Sequence, residues 1–261
     1  MQSFAKSCLA LLAAAVCAGP AVADSSCHAK SPNGTVALLE LYTSEGCDSC
    51  PPADRWLGTL RAAGIGPARV VPLAFHVDYW NDLGWPDRFA QSAFTARQRD
   101  FVRRTNATTA YTPEVLLNGR EYRHWSAGTL TDDLSRIAAA PARADIGLTL
   151  TRQGKALRID ADAGTQSPGT PAELYIAIYE NDLNSQVTAG ENRGRRLHHE
   201  FVVRRLLGPV AFDARGKVHF RQTLTLGADW KPADLGVAAF VQKSGGTEIL
   251  QALALTACPE K

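Results

Sequence analysis

Hydrophobic and polar residues follow different patterns on the two sides of residue 142. Before it, two apolar runs of strand length, residues 36–42 and 70–77, enclose a segment in which Trp56, Leu57 and Leu60 recur at helical spacing. A strand, a helix and a second strand in this order predict two parallel strands joined by a crossover helix.

The rest of the first half predicts two more helices and a hairpin. Residues 89–104 and 130–139 have helical spacing, and the apolar residues 114–117 run into Asn118-Gly119, a strong signal for a two-residue hairpin. The hairpin adds antiparallel strands to the parallel pair. We therefore expect a mixed sheet with flanking helices.

The second half has the alternation that is typical of short strands. Residues 146–150 and 157–161, for example, alternate on either side of a turn at Gly154, and about eight such segments follow one another with regular turn signals. This pattern indicates an antiparallel sandwich. We predict an α/β domain with a mixed sheet over residues 24–142 and an all-β sandwich-like domain over residues 143–261.

The first residues have the pattern of a signal peptide. Lys6 precedes the apolar residues 8–17, and residues 21–23 match the A-x-A pattern of a signal-peptidase site. The apolar run is shorter than the roughly 20 residues that cross a bilayer, so we expect no membrane span. We predict that residues 1–23 are a cleaved signal peptide of the bacterial type and that the protein works in the periplasm or outside the cell.

The overall charge argues against one class of partner. The chain has 28 Lys and Arg residues against 26 Asp and Glu residues. This near balance gives no electrostatic reason to expect a nucleic acid or an anionic membrane as partner. The sequence does not determine the oligomeric state, and a monomer is our expectation.

Four cysteines remain after the predicted leader is removed, and they allow three pairings. Cys47 and Cys50 form a redox-type pair, whereas Cys27 and Cys258 stand near the two ends of the mature chain. In an oxidising compartment, a disulfide between the two ends would stabilise the fold by roughly 2–5 kcal/mol. The alternative is two free thiols in poorly ordered tails.

The Cys47-x-x-Cys50 pair carries the strongest chemical signal. It follows a predicted strand and opens a predicted helix, whose N-terminal N–H groups and dipole stabilise a thiolate. Zinc sites of this type normally have a second pair or suitably spaced His ligands, and neither lies close in the sequence. We predict disulfide exchange, with Cys47 as the attacking thiol and Cys50 as the resolving thiol.

Two resemblances can be named from these residues. A strand, the cysteine pair, a helix, a strand, a helix and then Thr112-Pro113 before a hairpin resemble a thioredoxin fold. Five strings in both halves also resemble a family of exported bacterial proteins, the domain of unknown function 1223 family. These strings are LYTSEGCDSCPPAD, HVDYWNDLGW, TARQ, YTPEVLLNG and GENRGR, at residues 41–54, 76–85, 95–98, 111–119 and 190–195.

The resemblance implies a thioredoxin-like fold for residues 24–142. In that fold a cis-proline faces the cysteine pair, and the residue before it offers backbone groups to a bound substrate. Pro113 matches the cis-proline and Thr112 matches the substrate-docking residue. The family carries no settled activity, so the resemblance says more about the fold than about the function.

Acidic residues around the pair affect the expected redox poise. Asp48 lies between the two cysteines, and Glu45 lies two residues before Cys47. In thioredoxin itself the two residues between the cysteines are Gly-Pro, which carry no charge. Negative charge disfavours a nearby thiolate, and a less stabilised reduced form means a less oxidising couple. We therefore predict that the protein is not a strong oxidant.

His76 and Asp78 are the next candidates. They follow the second predicted strand at its carboxyl end, the edge of an α/β sheet where ligands usually bind. His76 could donate a proton or modulate the pKa of Cys47. The alternative is a histidine that is held by a hydrogen bond beneath a loop.

Three functions follow from these candidates. The first is thiol–disulfide exchange on exported proteins or small disulfides, which requires no bound cofactor and no metal. The second is a Cu(I)-binding module that uses Cys47, Cys50 and His76, although Pro113 would occupy the space that a metal needs. The third is a non-catalytic interaction protein in which Cys47–Cys50 is a structural disulfide.

Overall fold

The computed structural model describes residues 25–167, 169–256 and 258. The predicted signal peptide at residues 1–23 lies outside the described residues. Fourteen strands and three α-helices occupy the described part of the chain. The strands are β1 Ser25–Lys30, β2 Ala37–Thr43, β3 Val70–His76, β4 Glu114–Leu117, β5 Arg120–Glu121, β6 Ala144–Gln153, β7 Ala156–Thr165, β8 Ala172–Glu180, β9 Leu183–Gln186, β10 Arg196–His199, β11 Val202–Ala211, β12 Lys217–Thr225, β13 Leu235–Lys243 and β14 Ile249–Thr256. The helices are α1 Pro51–Ala62, α2 Ser92–Thr105 and α3 Leu130–Ala138, with short 3-10 helices at Asn81–Leu83 and Pro232–Asp234.

The strands form two large sheets and one small ribbon. An eight-stranded mixed sheet has the order β14-β13-β8-β11-β3-β2-β4-β5, in which the β11–β3 and β3–β2 pairs are parallel. A four-stranded antiparallel sheet has the order β1-β6-β7-β12. Strands β9 and β10 pair with each other as a separate antiparallel ribbon.

Two hydrophobic cores share the eight-stranded sheet, because successive residues of a strand point to opposite faces. In β8, Leu174, Ile176 and Ile178 belong to the core between the two large sheets. Tyr175 and Tyr179 of the same strand belong to the other core, which also contains residues of the three helices. The central strands are therefore buried on both faces.

The helices cover the second core with one apolar side each. Each helix buries large apolar side chains in it: Leu57 and Leu60 of α1, Phe94 and Phe101 of α2, and Leu134 of α3. These helices confirm the helical spacing read from the first half of the sequence.

The hairpin predicted at Asn118-Gly119 is confirmed. Strands β4 and β5 pair with Leu117 opposite Arg120, so the loop contains two residues. Asn118 and Gly119 both have positive φ, as the tight turn requires. A side chain at Gly119 would also overlap the Thr247 carbonyl.

The predicted fold class is wrong. The chain is mostly β, and the described residues form no thioredoxin-like α/β arrangement with flanking helices. Strands of the two halves of the sequence belong to one sheet, because β3 pairs with β11. The Ala74 N–H donates to the Phe201 carbonyl at 2.8 Å in this pair. The predicted boundary at residue 142 falls between α3 and β6, and the division into two domains stays a prediction.

The error has a physical reason: the alternation of apolar and polar residues indicates which face of a strand is buried, but not which strands pair with it. The alternation in β8 and β13 is equally typical of a self-contained sandwich. In the structure the two strands are part of the sheet that also contains β2 and β3, and β1 of the first half pairs with β6 of the second.

Two further features concern the predicted compartment. A disulfide joins Cys27 in β1 to Cys258, with a Cα–Cα distance of 5.6 Å, which confirms the end-to-end pairing. Among the three helices of the described residues, none combines the length and the apolar character that a bilayer crossing needs. The disulfide is compatible with an exported protein.

Candidate functional site

The cysteine pair lies in the loop between the end of β2 and the start of α1. Cys47 and Cys50 form a disulfide with a Cα–Cα distance of 5.5 Å. Both residues are 0 % exposed, although Asp48 and Ser49 between them are exposed. The two sulfurs are therefore shielded from solvent in this conformation.

The start of α1 differs from the helix N-terminus that the sequence analysis expected. Cys50 is the N-cap, and Pro51 and Pro52, the next two residues, have no N–H to offer. The Ala53 and Asp54 N–H groups both donate to the Cys50 carbonyl, at 2.9 and 3.2 Å. The helix dipole remains, but the first turn has no free N–H for a thiolate.

One hydroxyl lies beside the pair. Ser49 Oγ is 3.3 Å from Cys47 Sγ. The sulfur of a disulfide has no proton, so the Ser49 hydroxyl is the donor. Ser49 was not among the predicted site residues, although its position inside the Cys-x-x-Cys loop was an available signal.

A loop from the second half of the chain covers the pair. This cover loop, residues 187–195, connects β9 to β10. The side-chain amide of Asn192, which is fully buried, donates to the carbonyls of Glu45 at 2.9 Å and Cys47 at 2.8 Å. The Asp48 N–H donates to Glu191 Oε2 at 3.1 Å.

The cover loop is held in a defined conformation. Arg195 Nη1 donates to Asn192 Oδ1 at 2.8 Å, which fixes the orientation of the amide that binds the cysteine loop. Gly190 has a φ of +69°, and a Cβ there would come 3.2 Å from Trp85 Cβ. The loop therefore fits closely against both the cysteine loop and the residues around Trp85.

A cluster of five buried titratable side chains lies at the base of the same region. His76 at the end of β3 has Nδ1 2.6 Å from Asp87 Oδ2. His199 in β10 has Nε2 3.3 Å from Glu45 Oε1 and Nδ1 4.0 Å from Asp54 Oδ2. The two imidazole rings meet edge to face with centroids 5.0 Å apart, which joins the two groups into one cluster.

The charges in this buried cluster depend on one another. Burial lowers the pKa of His76, but the carboxylate of Asp87 outweighs burial and raises that pKa above its ordinary value. Burial raises the pKa of Asp87, and His76 outweighs it, so the pKa of Asp87 is lowered. Each of the two groups therefore favours the charged form of the other.

The other two carboxyl groups differ from each other. Burial raises the pKa of Asp54, and the nearby His199 and His76 do not fully offset it. Burial also raises the pKa of Glu45, but hydrogen bonds with His199, Ser185 and Trp85 together outweigh burial and lower that pKa. Asp54 is thus the carboxyl group of the cluster that holds a proton more readily than a free aspartate.

The predicted modulating residues have separate places. His76 is held by Asp87 beneath the loop, as in the alternative interpretation, and belongs to the buried cluster. Asp78 accepts a hydrogen bond from the Thr95 hydroxyl of α2. Asp48 is exposed, whereas Glu45 is buried and accepts from Trp85 Nε1 at 2.8 Å.

The predicted docking residues are connected to the cysteine loop through Trp80. The Thr112–Pro113 peptide bond is cis. Trp80 Nε1 donates to Thr112 Oγ1 at 2.8 Å, and a Cβ at Gly46 would be 3.1 Å from Trp80 Cβ. The base of Trp80 therefore lies against Gly46, the residue before Cys47, and its indole reaches Thr112.

Four of the residues that surround the pair were missed by the sequence analysis. They are Asp54, Asp87, Asn192 and His199. Asn192 lies in the GENRGR string, which identified a family resemblance but gave no role. Asp54 follows Cys50 by one helical turn, a spacing that places both on one helix face and could have been noticed.

Comparisons with known proteins agree with one resemblance. The family model described as a protein of unknown function, DUF1223, matches residues 38–242. No curated protein matches the chain. The protein AGR_C_4864 from Agrobacterium tumefaciens has a similar crystal structure, with 26% sequence identity, a TM-score of 0.63 and coverage of 85% of this chain and 95% of that one.

A second solved structure is similar in fold alone. HBP35 of Porphyromonas gingivalis has 16% sequence identity and a TM-score of 0.63, over 87% of this chain and 76% of that one. Neither name states a reaction.

Proposed function

This chain belongs to the DUF1223 family of proteins of unknown function, and we propose that it is an exported thiol–disulfide oxidoreductase that uses Cys47 and Cys50 and is not a strong oxidant. The observation that carries the proposal is a disulfide between cysteines three positions apart, next to a buried cluster of proton-binding side chains. The pair needs no bound cofactor to exchange electrons with a client thiol.

The size of the disulfide loop favours reactivity over a structural role. In the chain-entropy model, a bond between residues three apart stabilises a fold by about 2 kcal/mol, against about 5 kcal/mol for a bond that closes a loop as long as that of Cys27–Cys258. The Cys47–Cys50 bond therefore adds little as a staple.

The exchange proceeds in two balanced steps. A client thiolate attacks Cys47 Sγ, the Cys47–Cys50 bond breaks, and Cys50 leaves as a thiolate that takes up a proton. A second client thiolate then attacks the client sulfur of the mixed disulfide and releases Cys47. The client loses two electrons and the pair gains them; the reverse sequence reduces a client disulfide.

Asp54 is suited to supply or accept the proton of Cys50. It follows Cys50 by four residues at the start of α1, where side chains at this spacing lie on the same helix face. Burial raises the pKa of its carboxyl group, which favours the protonated form that a leaving thiolate requires.

Two features lower the oxidising power of the pair. Pro51 and Pro52 remove two N–H groups that would otherwise stabilise a thiolate, and Glu45 and Asp48 place negative charge nearby. The hydrogen bond from the Ser49 hydroxyl to Cys47 Sγ has the opposite effect, because it stabilises a thiolate at Cys47. A less stabilised thiolate means a less stable reduced form and hence a less oxidising couple.

The proposed location and clients follow from the same chemistry. A second disulfide, Cys27–Cys258, fits an oxidising compartment such as the periplasm or the medium. Clients would be exported proteins or small disulfides. The backbone of Thr112 before the cis-Pro113 is the proposed docking position for a client.

The reduction potential tests the redox poise. The protein is equilibrated in glutathione buffers, alkylated and analysed by mass spectrometry for the state of Cys47–Cys50. We expect a potential more negative than roughly −180 mV, whereas a value near −120 mV, that of a strong oxidant, would refute the proposal.

Trapping tests the exchange itself. With Cys50→Ser, a mixed disulfide at Cys47 cannot be resolved and should accumulate with exported proteins of the same cell. The variant that carries both Cys47→Ser and Cys50→Ser is the matched control and should trap nothing. Equal recovery from both variants would contradict the proposed exchange.

The complete burial of both cysteines favours a second candidate, a non-catalytic protein with a structural Cys47–Cys50 bond. This candidate predicts no trapped client and no turnover with glutathione. The Cu(I) alternative gains no support from the geometry: the described residues contain no group of three His, Cys, Asp or Glu side chains arranged as a metal site. Titration of the reduced protein with Cu(I) tests it.

A further inference from the structure

We propose that the cover loop, residues 187–195, is a gate, and that a polypeptide client reaches the cysteine pair by displacing it and taking over its hydrogen bonds to the cysteine loop. The inference rests on the proposed function. It adds a binding surface for the client and an explanation for the burial of a reactive disulfide.

The contacts of the cover loop are of the kind that a polypeptide makes. Asn192 donates two amide hydrogens to the carbonyls of Glu45 and Cys47, and Glu191 accepts from the Asp48 N–H. All three partners are backbone groups of the cysteine loop. When the cover loop leaves, all three groups lose their partner in that loop, while the Cys47 carbonyl keeps its bond from the Cys50 N–H at 3.3 Å. The N–H and C=O groups of a client can then pair with them, since a carbonyl oxygen accepts two hydrogen bonds.

Asn192 is built as a latch. It is fully buried, both of its amide hydrogens are used, and Arg195 satisfies its oxygen. A buried amide with every bond made rigidifies its surroundings, whereas the loss of one partner leaves costly unpaired groups. Opening of the gate therefore has a free-energy cost that a client with suitable polar groups can offset.

The cover loop can move without breaking a large sheet. It connects β9 and β10, and within the described chain these two strands pair only with each other. Hydrogen bonds between Val187 and both Arg195 and Gly194 close the loop upon itself, so it can leave as a unit. Segments with few bonds to the main sheets are the ones that open first.

The same ribbon connects the gate to the buried cluster. Alternation along β10 places His199 inward, near Glu45 and Asp54, and His198 outward. Movement of the ribbon therefore exposes the disulfide and changes the surroundings of Asp54 together. A gate at this place would keep the proton-binding groups dry until a client has docked.

Reduction by dithiothreitol tests the gate, because this small dithiol has no amide groups and reacts only when the loop has opened. We compare the wild type with Asn192→Ala, and follow Cys47–Cys50 by alkylation and mass spectrometry. Cys47–Cys50 of Asn192→Ala should be reduced about tenfold faster than that of the wild type, a factor that corresponds to the loss of a hydrogen bond to a buried group. Arg193→Ala, on the same loop but with an exposed side chain, is the matched control and should react within about twofold of the wild type.

A second variant guards against a trivial loss of folding. Gly190→Ala adds a Cβ that meets Trp85 at a positive φ, so it should push the loop away and also speed reduction. Thermal unfolding of all variants is measured alongside. Unchanged rates in both Asn192→Ala and Gly190→Ala, with the fold intact, would overturn the gate.

Hydrogen exchange of the trapped species tests the client. The Cys50→Ser protein is converted to a mixed disulfide at Cys47 with a cysteine-containing peptide or with 2-mercaptoethanol. In both adducts, amides of residues 187–195 should exchange at least about tenfold faster than in the oxidised wild type. The Asp48 amide should stay protected with the peptide and lose protection with 2-mercaptoethanol.

The outcomes separate the two proposals. Faster reduction of Asn192→Ala by dithiothreitol without any exchange with peptides would support the gate and refute the oxidoreductase. Exchange with peptides at equal rates in both proteins would support the oxidoreductase and refute the gate. Loss of Asp48 protection in the peptide adduct would refute the substitution of the loop by a polypeptide.

Discussion

The two disulfides of this protein lie in opposite surroundings. Cys27–Cys258 joins positions 231 residues apart and belongs to the apolar core between the two large sheets. Cys47–Cys50 joins positions three residues apart and lies next to a buried cluster of charged side chains. The first bond closes a long loop inside an apolar core, as a structural disulfide does, whereas the second closes a short loop among charged groups, as the proposed exchange function requires.

The largest expected effect separates the bonds by stability. Replacing Cys27 and Cys258 with Ser should reduce the free energy of unfolding by about 5 kcal/mol, and replacing Cys47 and Cys50 with Ser by about 2 kcal/mol, because the longer loop restricts the unfolded chain more. Urea denaturation without reductant measures both. Equal losses in the two double variants would break the comparison.

A smaller effect is expected from the cluster beside the short disulfide. Asp87→Asn leaves the buried His76 without its ionic partner and should reduce the free energy of unfolding by about 3 kcal/mol. Asp100→Asn is the matched control, because it breaks ion pairs with Arg103 and Arg104 at a partly exposed site on α2 and should cost less than about 1 kcal/mol. Similar losses of unfolding free energy in the two variants would show that the buried His76–Asp87 pair stabilises the fold no more than a partly exposed ion pair does.

The same pair predicts how stability depends on pH. The pKa of Asp87 is lowered on folding, so its contribution is present above about pH 4 and is lost as the pH falls through the folded value. The pKa of His76 is raised, so its contribution is complete below about pH 6.5 and is lost as the pH rises through the folded value. The contribution should therefore be greatest between about pH 4 and 6.5, and the pH profile of unfolding free energy of Asp87→Asn should lack the decreases that this pair causes on either side of that window.

The smallest effect concerns the sulfur of Cys47, the proposed attacking thiol. Ser49→Ala removes the donor to Cys47 Sγ and should raise the pKa of the Cys47 thiol in the reduced protein by about 0.5–1 unit, since one such bond contributes about 1 kcal/mol. The pH dependence of alkylation measures this pKa. An unchanged pKa would show that the hydroxyl does not stabilise the thiolate.

Local features of the site could be predicted from the sequence. The cysteine pair at the start of α1 and the Asn118-Gly119 hairpin are determined by neighbours in the chain, so spacing and turn chemistry were enough to find them. The end-to-end disulfide followed from counting cysteines. Each of these features needs only short-range signals or a small set of pairings.

Long-range partners could not be predicted in the same way. Asn192 lies 145 residues from Cys47, and its role depends on a contact that no local pattern encodes. His199 has the alternation of an ordinary strand residue, and only the placement of β10 against α1 brings it to Glu45. The incorrect thioredoxin-like fold has the same origin, because the partner of β3 lies in the second half of the sequence.

The bond between Cys27 and Cys258 also sets an order of events in the life of the molecule. Cys258 follows Cys27 by 231 residues, so the covalent link to β1 can form only after all the strands between them have been synthesised. Until then Cys27 is without its native partner. Alkylation of this thiol during refolding therefore distinguishes molecules in which the link has not yet formed.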